Sequence, residues 1–319
     1  MLRNAFLWFS PIGERAWPCR WTSISGATKG EAVVKEQVTV VGAGIIGSAT
    51  GRALAEVGHE IDFVDVNPQK VENLQREGFS AALEIGSRSG GIFMLSVPTP
   101  SVGTGYDLSI IETASRSVGA AISNATEPVI VVTRSTVAPG FSDRSLKSWI
   151  EESSGREVGD DLALVSAPEF LREVSATEDA RHPWISVVGG SNAGAVSRVL
   201  EMFAPLGGAQ AVFPNATSAE MVKIVHNCYN AAKISFWNEI AILCDSLEID
   251  QIPIGEVVAQ SAEASFNPAY GIKGGRPYGG ACLPKDLEGL IGFATNEGVD
   301  VPLLEAIRAV NDSFVKPRT

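Results

Sequence analysis

The chain has 319 residues, 45% of them hydrophobic, and 37 acidic against 25 basic side chains give it a formal net charge of −12. That balance offers no basic footprint to a nucleic acid or an anionic membrane surface, and no apolar run reaches the ~20 residues that span a bilayer. Four cysteines, Cys19, Cys228, Cys244 and Cys282, form neither a CxxC pair nor a metal-ligand cluster, which predicts reduced thiols in a cytoplasmic setting and no bound metal. Three of them read as small buried apolar residues; Cys282 is the exception developed below.

Residues 1–36 show no sustained periodicity and read as an irregular or disordered extension. Their apolar stretch is too short for a secretory signal, while an organellar transit peptide is the other reading of the same segment. From Gln37 the pattern changes. The runs QVTVVGAG, EIDFVDV, GIFMLSVPTP, PVIVVTRSTV, LALVSAPEF and WISVVGG are separated by helix-length segments. Buried β-rich runs in that rhythm predict an α/β domain, a Rossmann-like doubly wound parallel sheet with helices on both faces, over residues 37–213. From 214 to 319 the reading is helical, an all-α domain broken by a Gly/Pro/Asn-rich loop over 265–280. Thr217 and Glu220 have the spacing of a T-x-x-E capping box, ahead of an apolar stripe of Met221, Ile224, Val225, Cys228 and Ala232.

Gly42-x-Gly44-x-x-Gly47 follows the first strand directly and opens a helix, and Asp65 ends the next strand about twenty residues on. The glycines suit a tight turn, close backbone approach to a pyrophosphate and close helix-strand packing. The acid suits ribose hydroxyls and repels a 2′-phosphate, which favours NAD over NADP. Lys70 either reaches the adenosine side or is a solvated helix lysine. Further along, Lys223 and Asn227 are four residues apart and share a helix face, where an ammonium and an amide can donate to a developing oxyanion. A solvated polar pair is the plainer alternative. In GGACLPKD, Cys282 follows two glycines and precedes Pro284, which suits a first helical turn. A helix N-terminus and Lys285 both favour thiolate there, and Asp286 lies in the same turn.

Together these stretches resemble the nucleotide-sugar dehydrogenases that oxidise UDP-glucose or GDP-mannose to the uronic acid. The motifs stand in family order: VGAGIIG, VDVNPQKVENL, VPTP, RSTVAPG, APEFLRE, AEMVKIVHNCYNAAKISFWNE and YGGACLPKD. The resemblance implies two NAD-dependent oxidations, with Cys282 attacking the aldehyde and passing through a thiohemiacetal to a thioester. Glu169 and Asp286 then activate the hydrolytic water, Thr136 holds it, and Lys223 and Asn227 stabilise oxyanions. It places Ile45, Ile46, Thr99, Thr136 and Glu173 with Gly42, Gly44, Gly47, Asp65 and Lys70 at the cofactor. Phe170, Leu171, Glu173, Tyr270, Lys273, Tyr278 and Gly279 join Lys223 and Asn227 at the sugar nucleotide. A homodimer through the helical domain and a role in polysaccharide biosynthesis belong to the same expectation.

Three features depart from the pattern. The chain ends about where the family's third domain would be reached, the segment from Gly78 to Phe93 is short, and no Arg stands between Pro253 and Lys273. Glu263 and Lys273 occupy that region, with Arg276 as a substitute for the missing cation. Two other readings fit part of the sequence: a catalytically idle NAD-binding relative, and a two-domain β-hydroxyacid dehydrogenase, which leaves GGACLPKD and APEFLRE unexplained. CLPKD and NPAY lean toward GDP-mannose-type relatives, although UDP-glucose enzymes are the larger group.

Overall fold

A computed structural model describes residues 21–22, 34–103, 105–260, 271, 274–280 and 282–315. Tyr270, Lys273, Glu263 and Cys19 lie outside the described residues. The chain divides into two compact units, one ending at Val225 and the other beginning at His226.

In the first unit the apolar runs become β2 (Gln37–Val41), β3 (Glu60–Val64), β5 (Gly91–Leu95), β8 (Val129–Thr133), β9 (Leu162–Ser166) and β10 (Ile185–Gly189). The sheet also contains β1 (Trp21–Thr22), β4 (Ser80–Ala82) and β11 (Ala209–Phe213), in the order β1-β11-β10-β9-β8-β5-β2-β3-β4. From β4 to β9 all neighbours are parallel, whereas β10 runs antiparallel to β9 and carries β11 parallel to itself. Two residues of the segment 1–36, expected to be irregular, thus form an edge strand, β1, antiparallel to β11. The shortened segment after Gly78 keeps its strand β4 and has no helix before β5.

Successive side chains of each central strand enter opposite cores, which is why these strands read as unbroken apolar runs. Ile92, Met94, Ile130, Val132, Ala163 and Val165 join the core under α1 (Ile45–Glu56) and α6 (Ala193–Phe203). Phe93, Leu95, Val129, Val131, Leu162 and Leu164 join the core under α3 (Ser109–Ala121) and α4 (Lys147–Ser154). Each large side chain buried there contributes about 1.5–3 kcal/mol. The remaining elements are α2 (Pro68–Arg76), the short hairpin β6 (Ser101–Val102) and β7 (Gly105–Tyr106), and α5 (Ala176–Arg181).

Helix starts follow Asx chemistry. The side chains of Asn67 and Asn192 accept backbone N–H groups at the heads of α2 and α6. Asn215 does the same for α7 (Ala216–Ser246), accepting from Ser218 N at 2.8 Å. This corrects the expected T-x-x-E box. Thr217 instead donates to Asp143 Oδ2, and Glu220 accepts from Gly140 and Ser142.

The second unit contains the rest of α7 with α8 (Gln251–Ala259), α9 (Leu283–Asn296) and α10 (Pro302–Val315). Leu243, Ile291, Ala294, Val301 and Leu304 form its small core. Glu239 is buried and accepts the N–H groups of Leu303 (2.8 Å) and Leu304 (3.0 Å), capping α10. The expected apolar stripe on α7 is not covered: Met221, Val225, Cys228 and Ala232 are exposed, so Cys228 departs from the expected burial that Cys244 satisfies.

Candidate active site

The strand order reverses direction between β2 and β5, and the loop after β2 lies at that switch point. Gly42 has φ +99°, and a Cβ there would meet Ser96 O at 2.4 Å. A Cβ on Gly47 would meet Gly42 O at 2.0 Å, so this glycine lets α1 pack against the turn. Gly44 differs: nothing lies within 4 Å of its Cβ position. The first turn of α1 has neither a side-chain cap nor an acidic residue, which leaves its amide groups and positive dipole end available to an anion. Asp65 is buried and fastens this turn. Its Oδ2 accepts Ala43 N (2.8 Å) and Lys70 Nζ (3.0 Å), and its Oδ1 accepts Asn67 N (2.9 Å). Lys70 therefore pairs with the acid that is its neighbour in the motif.

These observations predict a separation of effects. Gly44→Val is expected to leave the unfolding midpoint nearly unchanged while weakening NAD binding at least about a hundredfold, since the open space is where a pyrophosphate approaches. Gly47→Ala is expected to cost about 2 kcal/mol or more in stability, because backbone must move. Urea melts beside calorimetric NAD titrations check both; equal losses of stability would refute the assignment.

A cleft of about 290 Å3 opens here, lined by Gly44 at the cap of α1, by Ile45 and Ile46 in its first turn, by Thr99 after β5, and by Thr136 and Glu169 after β8 and β9. Its walls are cross-tied. Ser135 Oγ accepts from Val97 N (2.9 Å) and donates to Val97 O (2.7 Å), while Thr99 Oγ1 donates to Thr136 O (2.6 Å).

Glu169 is held from two sides. Its Oε2 accepts Leu171 N at 2.6 Å and its Oε1 accepts Lys223 Nζ at 2.9 Å. With side chains 12% and 8% exposed, the two form a nearly buried ion pair. Lys223 also lies 5.5 Å from the centre of the Phe170 ring, which stacks edge-on with Trp184. Arg134, which no spacing in the sequence singles out, donates to Ala167 O (3.0 Å) and Pro168 O (3.1 Å), the two carbonyls ahead of Glu169. Burial lowers its guanidinium to about 10, with the Glu169 charge acting in the opposite direction. Its one sequence signal was adjacency to Ser135-Thr136 in RSTVAPG. Glu173, by contrast, is exposed at the start of a 3-10 turn and does not line the cleft.

In the second unit, Cys282 occupies the cap position of α9 with an exposed, free thiol. Its carbonyl accepts Asp286 N at 2.8 Å, and Pro284 lies in the first turn as expected. Lys285 pairs with the Asp286 carboxylate. Tyr278 N donates to Asn311 Oδ1 (2.7 Å), tying Tyr278 to α10, and Gly279 beside it is exposed. Asn227 is exposed on α7, one turn after Lys223.

A sheet with this reversal, and a helix end open to an anion beside it, defines the class: a Rossmann-type dinucleotide-binding protein. Residues 36–86 and 78–207 match the NAD binding domain of the UDP-glucose/GDP-mannose dehydrogenase family, and residues 217–313 match its central domain. A UDP-glucose 6-dehydrogenase of Haloferax volcanii is 31% identical over 301 residues, covering 86% of this chain and 69% of the relative. A GDP-mannose 6-dehydrogenase of Pseudomonas aeruginosa is 30% identical over 303 residues, covering 88% of this chain and 69% of its own length. The crystal structure of a ternary complex of GDP-mannose dehydrogenase from Pseudomonas aeruginosa superposes with a TM-score of 0.78 at 29% identity, over 87% of this chain and 69% of that one. The chain belongs to the UDP-glucose/GDP-mannose dehydrogenase family, and its cofactor is NAD. Among the described residues no helix is long and apolar enough to cross a membrane, and no group of His, Cys, Asp and Glu could hold a metal ion.

Proposed function

We propose that the chain oxidises the primary alcohol of a nucleotide sugar, UDP-glucose or GDP-mannose, to the carboxylate. The observation that carries this reading is the nearly buried Glu169–Lys223 pair, whose Glu169 lines the cleft that the dinucleotide loop opens. The glycine turn, the open position at Gly44 and Asp65 suit NAD, which when bound supplies the two-electron acceptor needed once for each of the two oxidations. The chain's residues do the rest. Cys282 Sγ adds to the aldehyde carbon, forming a C–S bond that retains the aldehyde. After the second oxidation the acyl group stays on sulfur as a thioester. Water then adds to that carbon, Glu169 or Asp286 takes its proton, the C–S bond breaks, and the thiolate returns. Thr136 holds the water. The Lys223 ammonium and the Asn227 amide donate to the oxygens that bear negative charge along the path. Phe170, Leu171, Tyr270, Lys273, Tyr278 and Gly279 contact the sugar nucleotide.

We assign the protein to the cytoplasm, where free thiols persist, and to the synthesis of uronic acids for polysaccharides. Exposed apolar side chains on α7 and α8, among them Tyr229, Ile234 and Val257, favour a homodimer through the helical unit. One preparation tests the whole reading. Light scattering should give the mass of two chains, and turnover should release two NADH per nucleotide sugar consumed. One NADH per β-hydroxyacid, with nucleotide sugars inert, would refute it.

A further inference from the structure

Glu220 is buried, with 2% of its surface exposed, and makes no ion pair among the described residues. A carboxylate so placed requires other compensation. Its Oε2 accepts Gly140 N at 2.6 Å and its Oε1 accepts Ser142 N at 2.9 Å. Those amides stand at the head of the helical segment that starts at Ser142 and continues into α4, so the carboxylate takes the place of that segment's missing cap and meets the positive end of its dipole. Gly140, at φ +89°, is the residue that turns its N–H toward the acid. One residue further along, Thr217 Oγ1 donates to Asp143 Oδ2 at 2.8 Å.

The tie has a functional geometry. Glu220 precedes Lys223 by three residues on α7, and Gly140 follows Thr136 by four. At its start the 136–140 segment is held by Thr99 Oγ1 on Thr136 O, and Val137 between is buried. At its end it is held by Glu220. One face of α7 therefore fixes two loops of the cleft: Lys223 grips Glu169 after β9, and Glu220 grips the Thr136 segment after β8.

We infer that Glu220 is a positioning residue, which sets the distance between Thr136 and the Lys223–Glu169 pair by clamping the Thr136 segment to α7. This rests on the nucleotide-sugar oxidation proposed above. Displacement of a catalytic group by about 1 Å costs on the order of a hundredfold in rate. Glu220→Gln preserves shape but turns an NH2 group toward a backbone N–H, so one of the two bonds is lost.

The test is a double-mutant cycle of Glu220→Gln and Thr136→Ala, read by kcat, NAD affinity from calorimetry and amide hydrogen exchange. Glu220→Gln is expected to lower kcat about tenfold to a hundredfold, to leave the NAD Kd within about threefold, and to speed exchange over 137–143 but not over 167–173. In the Thr136→Ala background the same change should have almost no further effect on kcat, because its target is gone. Multiplying effects would mean a structural role alone and overturn the inference, as would unchanged exchange over 137–143. Should Glu220→Gln fold poorly, Glu220→Asp, which keeps the charge but lacks the reach, must show the same exchange pattern; wild-type exchange in it overturns the inference. A wild-type protein inactive on every nucleotide sugar sinks the functional reading instead, and exchange alone then decides whether the clamp exists.

Discussion

Cys282→Ala is expected to end the reaction after its first two electrons. The variant should release at most one NADH per nucleotide sugar and form carboxylate at least about a thousandfold more slowly, since removal of a nucleophile forfeits the covalent route. The thiol is exposed at the cap position of α9 and makes no side-chain capping bond, so the unfolding free energy should stay within about 0.5 kcal/mol of wild type. Intact-mass measurement after mixing with NAD and nucleotide sugar adds a direct reading: wild type should carry a trapped acyl adduct on Cys282, and the variant none. Cys228 is exposed as well, so the adduct must be mapped to a peptide. An adduct on Cys228, or two NADH from the Cys282→Ala protein, would remove Cys282 from the mechanism.

How far the sequence disclosed this architecture depends on whether a feature is local. The central strands were legible because burial on both faces demands runs such as VIVVT and LALVS, and a side chain's own neighbours carry that signal. Strand β4 is SAA at the sheet margin, held by backbone pairing to β3, and its composition gives no β signature. Strand β1 and the β6–β7 hairpin are two-residue pairings that no periodicity registers. The dinucleotide turn was legible from its glycine spacing, although of the three constraints only that on Gly47, set by Gly42 O, is local; Gly42 is crowded by Ser96, 54 positions on, and Gly44 by nothing within 4 Å. Glu220 shows the limit. Its spacing from Thr217 fits a local box, yet the carboxylate serves an amide 80 residues earlier, and nothing in the T-x-x-E pattern distinguishes the two partners. Glu239 repeats the device on the same helix, capping α10 across 64 residues. Arg134 was hidden for a related reason: its function lies in two carbonyls more than 30 positions away.

The Lys223–Glu169 pair offers the second large effect, and it separates stability from chemistry. Both side chains are nearly buried, so removing one partner leaves an uncompensated charge in a poor solvent. Lys223→Met is expected to cost about 3 kcal/mol in a urea melt, and Glu169→Gln a comparable amount, because the nearly buried ammonium then loses its countercharge. Replacing both removes charge from both sides at once. The double variant should recover most of the lost stability, so that its cost falls well below the sum of the single costs. Turnover should behave differently. Each single change is expected to lower kcat by about 10²–10⁴-fold, and the double variant should remain in that range or below, since an apolar pair neither donates to an oxyanion nor accepts a proton. A double variant that regained both folding and turnover would show the pair to be scaffolding. Recovery of folding without turnover would fix Lys223 and Glu169 as groups that the fold stabilises mutually and the reaction uses singly. Their ion pair is then the resting arrangement of two catalytic side chains, and substrate binding must compete with it.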